Sequence, residues 1–600
     1  MKVVRPPVLA GCAVVLLVLC GVAGASATKR PDPGARVPYT SLELVLERGQ
    51  VRATPLGAPA AGGGITGATA ALAAVLAGAT TPAAPAAGAA AKHALSFPQA
   101  LAKLAANNEI TAATASADVG AWNAARESEK QLSGTREFEL GAVIGTLRGI
   151  ARSGKLTPAR LPALILTLQN NRQWWTSGPL LADDQRVGFA GSHLVWEFYP
   201  AQGLQIQWLG TFGAANGFWD EGDAADLGAL IDQALSLAVT RGGGIAWEYD
   251  FSFDGGAPPW VSGITQGTAV EALTHAATLL DNAVYLTDAN DALGIFQVAP
   301  PTGIAAATAA GARYLIYSFA PHEYVINAFI QSLIGLYDLG YQGDTLAQTL
   351  FQRGSAQARL DLPNYNTGFW SMYDQRSESN LSYHELLTGF LQTLCAQTEE
   401  TTPAALRVLG TTGPAPSGGS TGSTGSTSTG GTTGPSGTTG ASGTSGSSGA
   451  SGTSGAIGAS GAIGASGASG ASGASGASGS SGASGVSANP NAIYCKTAAA
   501  FTKDLRQAPV IKIDPLGAAR AHHVTHARFT LSKISNVTFA VLYAGKEVSA
   551  KTELLGHGTH SLAWRPPHAG LWTIALTAVD LAGNRTQRTA PVTVEAKSAG

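Results

Sequence analysis

The stretch from Pro321 to Leu339, PHEYVINAFIQSLIGLYDL, carries the spacing that decides the fold class. Its apolar residues recur at intervals of three and four: Ile326, Phe329, Ile330, Leu333, Ile334 and Tyr337. Because an α-helix turns once every 3.6 residues, these side chains share one face. The stretch therefore predicts a helix that starts at Pro321 and packs its apolar face against other helices.

Similar helical patterns extend to both sides of this stretch. They cover residues 138–150, 161–168, 224–239, 264–281, 284–296, 343–359 and 383–397. Strand-like segments at 187–198 and 245–253 are few, and no βαβ period is visible, which disfavours a parallel α/β sheet. We expect residues 95–400 to form a mainly α domain of the (α/α)-toroid type with some β-strands.

The composition separates this domain from segments that resemble tethers. Residues 28–94 are a low-complexity stretch, and residues 412–488 are almost purely Gly, Ser, Thr and Ala. From Gly431 to Gly485 a glycine stands at every third position, as in collagen, but Pro435 is the single proline in that tract. A stable triple helix needs roughly 15–20% proline or hydroxyproline. We therefore predict a flexible linker, with a weak trimerising collagen as the alternative.

Beyond the linker, residues 505–596 alternate like strands separated by turns and predict a small C-terminal β-sandwich. The stretch from Ala578 to Asn584 resembles the strand-turn of bacterial immunoglobulin-like or fibronectin-like modules. Six of the 11 histidines of the chain lie here without a specific ligand spacing, so no metal is expected. This module could dock to the cell wall, bind sugar or act as a spacer.

The N-terminus indicates export. Lys2 and Arg5 precede an apolar run that ends in Ala25-Ser26-Ala27, the pattern of a signal peptide over residues 1–27. We expect a secreted or cell-surface protein, with an uncleaved N-terminal anchor as the alternative and no other membrane contact. Cys395 and Cys495 could pair in an oxidising compartment or remain free thiols.

Several function classes are disfavoured by the sequence. The net charge of −2 and 13% charged residues provide no basic surface for nucleic acid. No Rossmann fingerprint, Walker A motif or H-E-x-x-H occurs, so no nucleotide or zinc motif is indicated. What remains is a polar and aromatic group between Trp247 and His384. Within it, Ser382 and Glu385 form an S-x-x-E capping box that would place Tyr383 at a helix N-terminus.

These residues carry a family resemblance. Four pieces occur in order: W-x-S-x-x-x-Q-G at 260–267, Tyr317 followed by VINAFIQSLIGLYDL at 325–339, M-Y-D-x-R at 372–376, and Tyr383-His384. The set resembles the C-terminal domain of D-glucuronyl C5-epimerases, which convert glucuronate into iduronate within heparan-type chains. A further segment, YPAQGLQI at 199–206, is similar to one in bacterial members, so the resemblance covers about residues 186–397.

The resemblance implies roles for individual residues. Its three catalytic tyrosines fall on Tyr317, Tyr373 and Tyr383, its carboxylate-binding arginine on Arg376, and a substrate-contacting asparagine on Asn327. Further substrate-binding candidates in the matching pieces are His384, Gln266 and Trp260. Members of the animal type have a glutamate directly before the first tyrosine, where this sequence has Ile316; the nearest acid, Glu323, is a further acid/base candidate.

The chemistry of the proposed substrate suits these residue types. Removing the C5 hydrogen of a uronate requires that the adjacent carboxylate be neutralised, and arginine offers a bidentate fork for it. Inversion then needs a base on one face and an acid on the other. A guanidinium close to a tyrosine would favour its phenolate form. This scheme requires no cofactor.

Three functions remain open from the sequence. The first is a secreted C5-epimerase acting on a uronate-containing polysaccharide. The second is a uronate lyase, or a hydrolase that would use two carboxylates such as Glu248 and Asp374. The third is a non-catalytic glycan-binding surface protein, in which Ile316 marks lost activity.

Overall fold

The computed structural model describes residues 42–47, 50–55, 94–399 and 489–596. The predicted signal peptide 1–27 and linker 412–488 lie outside these residues. The described parts on either side of residues 409–488 belong to one compact unit. No helix among the described residues has the length and apolarity that crossing a membrane requires.

Helices dominate the larger part of this unit and bear out the predicted mainly α class with some strands. They are α1 (Phe97–Ala106), α2 (Ala112–Gln131), α3 (Thr135–Arg152), α4 (Leu161–Ser177), α5 (Trp208–Glu221), α6 (Ala224–Ser236), α7 (Gly263–Leu279), α8 (Val284–Asp291), α9 (Ile326–Tyr341), α10 (Thr345–Asp361), α11 (Leu381–Glu399) and α12 (Ala492–Asp504). Short antiparallel pairs lie between them, β6 (Val239–Arg241) with β7 (Gly244–Ala246) and β8 (Ala305–Ala307) with β9 (Ala312–Tyr314).

The helix expected to start at Pro321 starts instead at Ile326. Residues 321–325 form turns and extended chain, because their backbone groups bond to a neighbouring loop. Tyr324 N donates to Gln375 Oε1 at 3.2 Å, and Ile326 N donates to Tyr373 O at 3.2 Å. The segment before α9 is therefore tied to the loop that carries Tyr373.

Helices α7 and α9 run parallel and in direct backbone contact. Ser332 Oγ donates to Gly263 O at 3.0 Å, and one turn further along both helices Gly335 meets Gly267. A Cβ atom on Gly335 would lie 2.0 Å from Gly267 O. Glycine is required at this crossing, because any larger residue would force the two helices apart.

A five-stranded sheet lies beside the first helices in the order β2-β1-β3-β4-β5. Its strands are β1 (Leu42–Glu47), β2 (Gln50–Pro55), β3 (Arg186–Phe189), β4 (Trp196–Tyr199) and β5 (Gly203–Ile206). The hairpin of β1 and β2 lies within residues 28–94, predicted as a tether, and β1 pairs in parallel with β3. Leu46 is buried in this pairing, so this part of the tether is folded.

The C-terminal part begins with α12, which packs on α11 through the disulfide Cys395–Cys495. Two sheets follow, in the orders β10-β12-β15 and β11-β17-β16-β13-β14. The strands are β10 (Ile511–Ile513), β11 (Ala519–Arg520), β12 (Thr525–Leu531), β13 (Ser535–Tyr543), β14 (Lys546–Leu555), β15 (Gly558–Trp564), β16 (Gly570–Asp580) and β17 (Arg585–Glu595). Phe529, Val537, Trp572 and Ile574 are buried in their shared core.

Candidate active site

The three predicted tyrosines meet although they come from separate segments. Tyr317 follows β9 and forms a backbone bridge with Ser262, which directly precedes α7. Tyr373 lies in the loop before α11, and Tyr383 lies in the first turn of that helix. The rings of Tyr373 and Tyr383 stack with centroids 4.7 Å apart. Both phenols are close enough to Tyr317 to raise its pKa electrostatically, so the three hydroxyls share one site.

Local hydrogen bonds fix the loop and the helix start. Asp374 Oδ1 accepts from the backbone N–H groups of Arg376 and Ser377, each at 2.7 Å, which folds the loop between them. Tyr383 N donates to Asn380 Oδ1 at 2.8 Å. Asn380 is therefore the capping side chain, two residues before Ser382 of the predicted S-x-x-E box, since α11 already begins at Leu381.

Asn327 connects two parts of the site. It lies in the first turn of α9, is 1% exposed, and its Nδ2 donates to Tyr383 O at 3.4 Å. Among the described residues, no donor reaches its buried Oδ1. A buried amide oxygen without a partner costs free energy. Asn327 thus offers an acceptor beside Tyr383 that a substrate hydroxyl could satisfy.

The protonation of the tyrosines differs from the expectation. Burial raises the pKa of all three well above the usual value, and nearby acids raise it further. Glu323 and Asp254 act on both Tyr317 and Tyr373. The phenolate expected beside a guanidinium is not favoured in the free protein, because burial and the nearby acids both stabilise the neutral phenols. The tyrosines are therefore neutral and can donate protons.

Glu323 and Arg376 form the charged edge of the site. Burial raises the pKa of the Glu323 carboxyl, as do Asp254 and Asp374, whereas the positive charge of Arg376 lowers it. Arg376 is exposed, and within the described part of the chain its guanidinium makes no ion pair or hydrogen bond. The site thus contains a carboxyl group with a raised pKa, Glu323, and an exposed guanidinium, Arg376, close to neutral phenols.

Trp260 and Gln266 are buried and bond to the protein around the site. Trp260 is 1% exposed, donates from Nε1 to Phe251 O at 2.8 Å, and meets the Tyr317 ring edge-on at 5.6 Å. Gln266 Nε2 donates to Ile245 O and Ala292 O, each at 2.9 Å. Both side chains donate their hydrogen bonds to backbone carbonyls and so help to position the segments around the site. Their contact with the substrate stays a prediction.

His384 points away from the tyrosines. Its ring stacks on Trp370 at 3.7 Å, its Nδ1 accepts from Ser371 N at 3.2 Å, and its Nε2 bonds to Phe501 O at 3.1 Å. Burial lowers its pKa to about 4, so the ring is neutral. Both ring nitrogens are occupied by protein groups, which makes His384 a contact between α11 and α12 rather than an open ligand for sugar.

Two acids of the site were not among the predicted residues. Asp254 has a φ of 42° at the tip of the turn between Phe253 and Gly256. Its negative charge raises the pKa of Tyr317, Tyr373 and Glu323. Asp184 raises the pKa of Tyr383. The Asp-Gly pair at 254–255 signals a turn in the sequence. Nothing in the sequence indicates that this turn faces the tyrosines.

Glu248 does not have the environment of a hydrolytic carboxyl. Arg160 contacts both of its oxygens, at 2.5 and 2.9 Å, and Arg241 adds a contact at 2.5 Å. The neighbouring Asp250 has its pKa raised to about 8, first by burial and then by Glu248. Because two guanidinium groups hold Glu248, it cannot act as a free general acid, which weakens the hydrolase alternative.

Comparison with known proteins supports the resemblance for this region. Residues 241–406 match the family model of the D-glucuronyl C5-epimerase C-terminus, which spans all three tyrosines. A D-glucuronyl C5-epimerase of Caenorhabditis elegans is 32% identical over 133 residues, which are 20% of this chain and 22% of that relative. The chain thus spans about a fifth of the curated relative it matches. Residues 431–492 match the collagen triple helix repeat.

Proposed function

We propose that this protein is a C5-epimerase that acts on a glucuronate-containing polysaccharide. The observation that carries the proposal is the convergence of Tyr317, Tyr373 and Tyr383 beside Glu323 and Arg376, within the segment similar to the epimerase C-terminus. These groups supply a base, a proton donor and a cation, which the reaction requires.

Glu323 is the group best suited to remove the C5 proton. Its raised pKa makes it a stronger base than an ordinary carboxylate, while it still ionises more readily than the buried phenols. The carboxylate takes the proton and the electron pair of the C–H bond moves into the uronate carboxylate. Glu323 would thus act as the base in place of the glutamate that animal-type members have directly before the first tyrosine, where this chain has Ile316.

The neutral tyrosines can complete the inversion. A phenol on the opposite face donates its proton to C5, and the proton on Glu323 returns to the resulting phenolate through solvent or the neighbouring phenols. The composition of the sugar is unchanged, as an epimerisation requires. The stack of Tyr373 on Tyr383 keeps two phenols within a short distance of each other.

Arg376 is suited to hold the uronate carboxylate. Its guanidinium is exposed and has no protein partner among the described residues, so binding an anion breaks no existing ion pair. A bidentate contact would stabilise the negative charge that develops on this carboxylate. The unpaired Oδ1 of Asn327 would accept from a sugar hydroxyl nearby.

The setting of the enzyme is part of the same proposal. We place it outside the cytoplasm, as a secreted or surface protein, and the disulfide Cys395–Cys495 supports an oxidising compartment. We assign the helices to an (α/α) toroid because α7 and α9 lie parallel. We assign the C-terminal sheets to an immunoglobulin-like module. Docking of that module to a cell wall belongs to this proposal as well.

Proton–deuterium exchange tests the function. The purified full chain is incubated in deuterated water with heparosan and with other uronate polymers, and NMR follows C5. Deuterium at C5 together with iduronate signals supports the epimerase, and Glu323→Gln should remove both. An ultraviolet absorbance from an unsaturated uronate would instead identify a lyase. Binding of a uronate polymer without either signal would identify a glycan-binding protein.

A further inference from the structure

A second cluster of ionisable side chains lies at the other end of α7 and α9. Glu271 and His275 are one turn apart on α7, and Asp338 lies beside them on α9. One donor atom from each lies within 4.8 Å of the others. Asp338 is eleven residues after Asn327, about 17 Å along the helix axis at 1.5 Å per residue. The cluster is therefore separate from the tyrosines.

Neutral amides hold one oxygen of each carboxyl group. Glu271 Oε2 accepts from Gln331 Nε2 at 2.6 Å and from Asn216 Nδ2 at 3.1 Å. Asp338 Oδ1 accepts from Gln397 Nε2 at 2.7 Å. In the described part of the chain, neither carboxyl forms an ion pair with lysine or arginine, and no donor reaches Glu271 Oε1 or Asp338 Oδ2. Each carboxyl thus keeps one oxygen available.

The two carboxyl groups of this cluster, Glu271 and Asp338, would carry negative charge that a cation could balance. Glu271 is 3% exposed, and its carboxyl faces Asp338 across the packed helices. Two carboxylates at this separation in a buried site repel each other, so they need a shared proton or a cation. Elsewhere the same protein meets this need with arginine, as Arg160 and Arg241 do for Glu248.

The imidazole of His275 is held in the orientation of a metal ligand. Its Nδ1 lies 3.0 Å from Asn216 Oδ1, and the ring stacks on Trp219 with centroids 3.8 Å apart. If Nδ1–H donates to the amide oxygen, the lone pair is on Nε2. Metal-binding histidines commonly have such a hydrogen bond on the second nitrogen. Asn216 also donates to Glu271, so one amide orients two of the three donors.

We propose that Glu271, His275 and Asp338 bind one divalent cation of the Zn²⁺ class. Imidazole nitrogen and carboxylate oxygen are both Zn²⁺ ligands, with bonds of about 2.0–2.2 Å, and water would complete the coordination. The three donors, which lie within 4.8 Å of one another, would draw together around the ion to reach these distances. The cation would link α7 to α9 directly, and α5 and α11 through Asn216 and Gln397. The sequence alone predicts no metal here, because the donors come from two helices and form no standard motif.

Metal titration of the full chain tests this site. Untagged protein is dialysed against a chelator and then titrated with ZnCl₂ by calorimetry, with CaCl₂ in parallel. We expect one Zn²⁺ per chain, bound at least tenfold more weakly in His275→Ala and in Asp338→Asn. His557→Gln is the matched control, since His557 also pairs with a carboxylate, Glu378, but has no third donor among the residues that the structure describes. This variant should bind Zn²⁺ as the unmodified chain does.

Thermal unfolding separates a metal site from a merely structural cluster. Without metal, Asp338→Asn should raise Tm because it removes one of two repelling carboxylates, while Zn²⁺ should raise Tm only in the unmodified chain. Equal Zn²⁺ affinity in the unmodified chain and both site variants would overturn the proposal, as would tighter binding of Ca²⁺ than of Zn²⁺. A lower Tm of metal-free Asp338→Asn would show that Asp338 instead stabilises the helices through its hydrogen bond.

Discussion

The disulfide between α11 and α12 should contribute a large share of the stability of this protein. It joins Cys395 to Cys495 across a sequence separation of 100. Cross-linking restricts the unfolded chain, and a closed loop of this length corresponds to about 4.7 kcal/mol. A domain typically unfolds with about 5–15 kcal/mol in total. The double variant Cys395→Ser/Cys495→Ser should therefore lose a large fraction of its free energy of unfolding.

The length of the loop provides an internal test of this mechanism. Deleting residues 431–485 leaves a closed loop of about 45 residues, for which the same relation gives about 4.0 kcal/mol. The two serines should therefore cost about 0.7 kcal/mol less in the shortened chain than in the full one. A contact that acts only in the folded state would have the same effect at both lengths.

Denaturant unfolding under oxidising conditions measures all four proteins of this cycle. Far-ultraviolet circular dichroism reports the helices, and the midpoint is converted into a free energy with the measured slope. Reduction of the unmodified chain should reproduce the loss seen in the double serine variant. A loss below about 1 kcal/mol in the full chain would refute the loop-entropy reasoning, and so would a larger loss in the shortened chain.

Four further predictions concern the site and the C-terminal sheets. Arg376→Gln should lower kcat/KM on a uronate polymer by about 10²–10³, with a partial recovery in Arg376→Lys, because a preorganised donor to developing charge is lost; equal activity in all three would exclude this role. Because Glu323 must be ionised to act as the base and its folded pKa lies above the usual 4.5, the rate should rise with pH through a midpoint above 4.5. Folding raises this pKa, so the ionised carboxyl costs stability above its unfolded pKa, and Glu323→Gln should raise Tm at pH 7 but not below about pH 4; a lower Tm at pH 7 would contradict this. Lys533 and Asp580 form an ion pair at 2.5 Å with both side chains 0% exposed. Lys533→Met leaves the Asp580 carboxylate buried without its partner and should lower the free energy of unfolding by about 3–5 kcal/mol. Denaturant unfolding of the double variant Lys533→Met/Asp580→Leu should show that part of this loss is recovered.

The sequence could identify the tyrosines but not their protonation. The order of the motifs brings Tyr317, Tyr373 and Tyr383 into one proposal, and the structure places them together. Their pKa values depend on burial and on the acids that surround them. Asp254 is far from each tyrosine along the chain, so its effect on them follows from the packing of a turn that no local pattern describes.

Local signals failed where tertiary contacts override them. Ser382 and Glu385 satisfy the capping-box pattern, yet Asn380 caps the helix because α11 begins two residues earlier than that pattern predicts. Pro321 is a good first residue for a helix, yet the backbone before Ile326 bonds to the neighbouring loop instead. In both cases the helix itself was predicted correctly, whereas its first residue depended on partners from elsewhere in the chain.

The C-terminal part of the chain supports the candidate active site and is more than a spacer. The loop with Tyr373 and Arg376 ends at Glu378, whose carboxylate accepts from Ile534 N at 3.1 Å and from His557 N at 2.6 Å. Before that loop, the ammonium of Lys533 lies 5.1 Å from the centroid of the Trp370 ring. Both ends of the loop are thus fixed by residues beyond position 489. Because Cys495 also secures α12 against the helix that starts beside Tyr383, a fragment that ends before the linker would lack these contacts. The geometry of the tyrosines therefore depends on a part of the chain that the sequence presents as a separate module.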